Sequence, residues 1–76
     1  MKAMLEYILR HLVDHPEAVR ITEVQGERTA MYEIRCHADD IGKVIGKNGK
    51  TIGAIRLLLA TAAARSGRRA VLEVIE

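Results

Sequence analysis

Gly46 and Gly49 enclose a lysine and an asparagine, giving Gly46-Lys47-Asn48-Gly49, with Lys50 directly after and Lys43 shortly before. These types at this spacing could grip an anion. Glycine at both corners permits positive φ and leaves no Cβ in the way of a close ligand. Asn48 tolerates the left-handed region and can hydrogen-bond its own backbone. Gly49 falls at the mouth of an amphipathic run, where free N–H groups and the positive dipole end of a helix favour negative charge. Lys47 and Lys50 add cations there.

Two other glycine-rich sites are excluded by spacing. The phosphate-loop pattern G-x-x-x-x-G-K-[ST] finds its tail in Gly49-Lys50-Thr51, but its first glycine would fall on Val44. The dinucleotide pattern G-x-G-x-x-G needs a glycine at the same position. Both should also follow a strand, whereas Asp39 to Ile45 reads as a short helix. No Ser/His/Asp, paired-carboxylate or metal constellation is visible, so no catalysis, cofactor or metal is expected. His11 and His15 are four apart, a spacing that could hold a metal, but neither a third ligand nor a second-shell partner is apparent in the sequence.

The elements that must hold the loop follow from periodicity. Leu5, Ile8, Leu9, Leu12 and Val13 make one apolar stripe, so Met1 to His15 reads as a helix ended by Pro16. Ala18 to Gln25 is rich in β-branched residues and reads as a strand; its alternation slips between Ile21 and Val24, predicting a bulge or twist at one end. After a turn at Gly26-Glu27, Thr29 to His37 reads as a second strand, antiparallel to the first. Its apolar set, Ala30, Tyr32, Ile34 and Cys36, faces the core, which makes Tyr32 a core residue and not a stacking platform. Asp39 or Asp40 is expected to cap the helix carrying Ile41, Val44 and Ile45. Beyond the loop, Lys50 to Ser66 is the longest helix, with Ile52, Ile55, Leu59, Ala62 and Ala63 inward and Gly67 as its left-handed cap. Its other face, Gly53, Ala54, Leu57, Ala60, Thr61 and Ala64, carries no charge, which suits the approach of a second helix in a dimer; the alternative is that alanine merely favours helix. Ala70 to Ile75 is a last strand. The expected class is α+β, ordered α-β-β-α-α-β, with a three-stranded sheet packed against three helices.

The 76 residues are enough for one small domain, expected over 1–76, with a core of aliphatic side chains, since Trp and Phe are absent. A domain this small buries only about 60% of its unfolded surface, so an association partner is plausible from size alone. One cysteine excludes an internal disulfide and suits a reducing cytoplasm, and no apolar run has the roughly 20 residues of a membrane span. The net charge of +2 hides an asymmetry: residues 1–40 hold five Lys/Arg against eight Asp/Glu, residues 41–76 hold seven against two, and no acid lies between Ile41 and Leu72. A single basic half is the footprint of a polyanion binder.

The run Ile45-Gly46-Lys47-Asn48-Gly49-Lys50-Thr51-Ile52 fits I-G-x-x-G-x-x-I, the signature of KH domains, whose GXXG loop clamps about four backbone nucleotides. With the element order it resembles a type II KH domain. From Leu5-Glu6-Tyr7-Ile8 through Val19-Arg20-Ile21-Thr22-Glu23 to Ala54-Ile55-Arg56, the chain is similar to the KhpA family of small single-KH bacterial proteins. The resemblance implies a cytoplasmic, single-stranded RNA-binding protein that is an RNA chaperone or post-transcriptional regulator. It also implies a homodimer or pairing with a larger KH-containing partner of the KhpB type, and a link to cell-wall homeostasis and cell shape. On this reading Gly46, Lys47, Asn48, Gly49, Lys50, Lys43 and Arg56 contact the backbone, Ile41 or Val44 floors an apolar groove, and the rim of the Thr29–His37 strand reads base edges. Without an aromatic row, sequence preference should be modest. The rival reading is a protein-interaction module, with RNA contacted mainly by a partner.

Overall fold

Leu5 and Leu9, one turn apart, have no exposed surface and dock the first helix, α1 (Lys2–Leu12), onto a sheet. The computed structural model describes residues 1–75. α1 ends earlier than the stripe predicts, because Val13 is already extended, with φ −99° and ψ 161°. Val13 is still buried, so it keeps its place in the core without helical geometry. Pro16 opens a single 3₁₀ turn, Pro16–Ala18.

Strands β1 (Arg20–Gln25) and β2 (Thr29–Arg35) form the expected antiparallel hairpin, its turn closed by the Gly26 N–H on the Thr29 carbonyl at 2.7 Å. Pairing runs unbroken from Arg20↔Arg35 to Gln25↔Ala30, so no bulge forms. The slip in alternation has a simpler cause: Val24 turns outward beside Met31, and both are exposed. β3 (Arg69–Val74) lies parallel to β2 on its other side, giving the order β1-β2-β3. Parallel neighbours require a long crossover. Here it consists of α2 (Ile41–Ile45), the 3₁₀ turn Lys47–Gly49 and α3 (Lys50–Ala64).

Ala30, Tyr32 and Ile34 on β2 are wholly buried, and Val44, Ile52, Ile55, Leu59 and Leu72 join them with Leu5 and Leu9 in one core. Three helices therefore cover one face of a three-stranded mixed sheet, the expected α+β, type II KH-like architecture. α3 stops at Gly67, whose φ of 68° lets its N–H reach the Ala64 carbonyl at 3.0 Å while the Arg68 N–H reaches Ala63 at 2.9 Å. That paired closure is the Schellman arrangement that glycine favours. Tyr32 is core, as its position in the alternation requires. Burial, and after it the Glu23 carboxylate, push its phenol up to about 12.

Candidate nucleic-acid interface

α2 leads into the loop, and α3 leads out of it. Gly46 has φ 77° and ψ 168°, Asn48 φ 57° and ψ 26°, and Gly49 φ 73° and ψ 15°. Three of four consecutive residues thus have positive φ, which is what the glycines and the asparagine permit. Gly46 is required twice over, since a Cβ there would sit 2.6 Å from the Thr51 Cβ and 2.8 Å from its backbone nitrogen. Gly49 has open space around it, so its backbone alone selects glycine.

The bonds that close this turn use the N–H groups of Gly46 (to Gly42, 2.8 Å), Gly49 (to Gly46, 3.1 Å) and Lys50 (to Lys47). None uses the N–H of Lys47 or Asn48. Both of those residues are exposed, as is Lys50. Among the described residues, neither Lys47 nor Lys50 forms an ion pair. Lys43 does: its Nζ donates to Asp14 Oδ2 at 2.8 Å, and that contact raises the ammonium above its usual value.

Arg56, two turns into α3, reaches across to β3, where its Nη2 donates to the Leu72 carbonyl at 3.4 Å. It stands in an open groove of about 250 Å3 between α3 and β3, with Ala60, Arg69 and Leu72 among its walls. Two expectations about the base-reading groove need correction. β2 is the central strand, hydrogen-bonded on both sides, so it has no free rim; the edge beside α3 belongs to β3. Val44 has no exposed surface and is part of the core, so it cannot floor a groove, whereas Ile41 is only half-buried. Arg69 was not singled out from sequence, because only the α3–β3 adjacency brings it beside Arg56.

The capping expectation at Asp39-Asp40 also fails. His37 Nδ1 accepts the Asp39 N–H at 3.1 Å and caps the 3₁₀ turn Ala38–Asp40, and neither aspartate side chain caps α2. Asp40 instead turns inward, with no exposed surface, and accepts the N–H of Asp14 at 3.2 Å and of His15 at 2.9 Å, and the His15 ring Nδ1 at 3.0 Å. Burial works to raise its carboxyl, but these donors and the neighbouring imidazole outweigh it and hold the group below the usual carboxylate range. The His15 ring in turn stacks on His37, centroids 3.9 Å apart and planes within 12°.

On α3, Gly53, Ala54, Leu57, Ala60, Thr61 and Ala64 are all exposed. Leu57 keeps 68% of its surface in solvent, and its neighbour Leu58 keeps 52%. Thr61 turns its hydroxyl back to the Leu57 carbonyl at 2.8 Å, so the only polar side chain of that face is satisfied within the helix. Among the described residues no helix is long and apolar enough to cross a membrane.

The chain has relatives among known proteins. The family model described as KhpA/KhpB, KH domain, matches residues 2–74. The chain is 54% identical over 76 residues to the RNA-binding protein KhpA of Chlamydia pneumoniae, covering all of this chain and 97% of the relative. Identity is 43% over 75 residues with the RNA-binding protein KhpA of Clostridium acetobutylicum, covering 99% and 100%. It is 40% over 76 residues with that of Aquifex aeolicus, covering 100% and 96%. No solved structure matches. The chain belongs to the KhpA/KhpB family of KH-domain RNA-binding proteins.

Proposed function

We propose that the Gly46–Gly49 loop clamps the sugar-phosphate backbone of single-stranded RNA, without catalysis. The observation that carries this reading is the loop's backbone: positive φ at Gly46, Asn48 and Gly49 shapes a turn whose Lys47 and Asn48 N–H groups are not used in closing it. Those N–H groups donate to phosphate oxygens, and Lys47, Lys50 and Lys43 supply charge. Arg56 and Arg69 extend the cationic track along the α3–β3 groove, and half-buried Ile41 on α2 is the apolar contact still available. Contact with about four nucleotides neutralises roughly three to four phosphates, so log K should fall with log salt at a slope of about −2 to −3. Replacing Lys47 and Asn48 together with Asp abolishes binding of a short single-stranded RNA in fluorescence anisotropy while leaving the circular dichroism spectrum unchanged. Unchanged anisotropy would remove the loop from the mechanism.

The family resemblance extends this reading to an RNA chaperone or post-transcriptional regulator in the cytoplasm. It acts as a homodimer, or with a larger KhpB-type partner, in processes tied to cell-wall homeostasis and cell shape. A second reading makes the chain mainly an interaction module, with the RNA held by the partner, and the exposed Leu57 and Leu58 favour it. Leu57→Lys separates the two. If the face of Gly53, Ala54, Leu57, Thr61 and Ala64 is the dimer contact, the variant sediments as a monomer and still binds RNA at a single site.

A further inference from the structure

A second polar cluster lies at the opposite end of α2 from the glycine loop. We propose that His15, His37 and Asp39 form a site for a divalent transition-metal ion of the zinc class. One ligand atom from each residue lies within 4.8 Å of the others. Nδ1 of His37 and Oδ2 of Asp39 are 3.7 Å apart. That is close to the edge of a tetrahedron built on bonds of about 2.0–2.2 Å, roughly 3.3–3.6 Å.

The first ligand is backed by a buried carboxylate. Asp40 is a carboxylate and can only accept, so the His15 nitrogen 3.0 Å from it is the protonated one. Nε2 of His15 therefore carries the lone pair. A histidine whose second nitrogen is fixed on a buried carboxylate is the usual backing of a metal ligand. Asp40 is itself immobilised by two backbone N–H groups. Nδ1 of His37 accepts the Asp39 N–H, so it too carries a lone pair, which the ion would take over.

The rings of His15 and His37 are stacked. With planes 12° apart, the two in-plane lone pairs run side by side and do not meet. Loading requires the His37 ring to leave the stack, and its side chain, 42% exposed, has room to turn. Two neutral imidazoles and one carboxylate leave a Zn2+ site with a net charge of +1 and a fourth position for water. The ion ties the segment after α1 to the turn before α2 and adds positive charge close to Lys43.

The test is calorimetric titration of zinc chloride into the full chain, in a buffer that does not chelate, on a Cys36→Ser background that removes the free thiol. The expected result is saturable one-to-one binding. His37→Ala and Asp39→Asn each weaken it at least about tenfold, while His11→Ala leaves it unchanged. Both ligand variants alter exposed side chains, and circular dichroism verifies that they fold. The imidazole resonances of His15 and His37 shift together on zinc addition. No saturable heat up to about 1 mM zinc, an affinity indifferent to His37→Ala, or a dependence on His11 each overturns the site. None of these readouts involves RNA, so the proposal fails or stands apart from the clamp.

Discussion

α2 is entered and left through turns built on opposite physical grounds. The turn that follows it, residues 46–49, is shaped by missing side chains: two glycines and one asparagine at positive φ, with lysines reaching solvent. The turn that precedes it is pinned by one side chain that is present, the Asp40 carboxylate, which fixes a segment 25 and 26 residues away. The first leaves backbone N–H groups free for a ligand; the second uses them up internally. The loop is closed only by bonds along its own backbone, so the direction in which it faces depends on α2 being fixed at its other end.

The sharpest way to break that contrast is to add a methyl group on the open side. Gly46→Ala forces a Cβ against Thr51 and holds alanine at φ 77°, ψ 168°, a region open essentially to glycine alone. The backbone strain alone costs roughly 1–3 kcal/mol, and the contact adds to it. We expect the melting temperature, followed by circular dichroism, to fall by at least about 10 °C, with RNA binding lost. Gly49→Ala meets no atom within 4 Å and strains only the left-handed backbone, about 1–2 kcal/mol. Gly49→Asn should recover most of that. Equal losses for the two alanine variants would mean that Thr51 does not matter at the first corner.

On the pinned side the prediction concerns pH. Asp40's folded carboxyl lies below its ordinary value, so it contributes stability that is fully present above the unfolded value, near 3.9. That contribution drains away as pH falls through the folded value. Melting temperatures between pH 7 and pH 3 should therefore fall more steeply for the wild type than for Asp40→Asn. The variant should start lower at pH 7 and converge with the wild type in acid. Parallel curves would show that the carboxylate's charge does not hold the segment. The glycine-loop variants, by contrast, should shift the whole curve without changing its shape.

These two turns also differ in how far they could be read beforehand. The loop is written locally: Gly46, Asn48 and Gly49 each impose a backbone preference, and all three positive φ angles sit on them. The hairpin, the core set Ala30, Tyr32 and Ile34, and the Gly67 cap are legible for the same reason, since period and propensity act within a few residues. Asp40 is not. By local rules an Asp-Asp pair before an apolar turn is a cap, and only the fold brings the N–H groups of Asp14 and His15 to its carboxylate. The His15–His37 stack, the buried Val44 and the Arg56–Arg69 groove share that origin: each depends on which elements become neighbours. The free strand edge is hidden from the sequence for a related reason. Two strands and a later third give no local sign of which one becomes central, and β2 does, paired on both sides.

The smallest expected effect tests where the contrast ends. Gly53 lies on the outward face of α3, in regular helix, with nothing within 4 Å of where a Cβ would be. Neither of the reasons that fix Gly46 applies: its φ is helical and no neighbour approaches. In the isolated chain Gly53→Ala should therefore stabilise by about 0.5–1 kcal/mol, read as a rise in melting temperature at low concentration. Should α3 meet a second copy along Gly53, Leu57, Ala60 and Ala64, the same methyl enters a close contact between helices, and dimerisation weakens while the monomer gains. Sedimentation and melting measured on one sample thus separate two explanations for a glycine inside a helix. A stabilised monomer with undiminished self-association places the dimer contact elsewhere, and a weakened dimer makes Gly53 a second position where a missing side chain admits a partner.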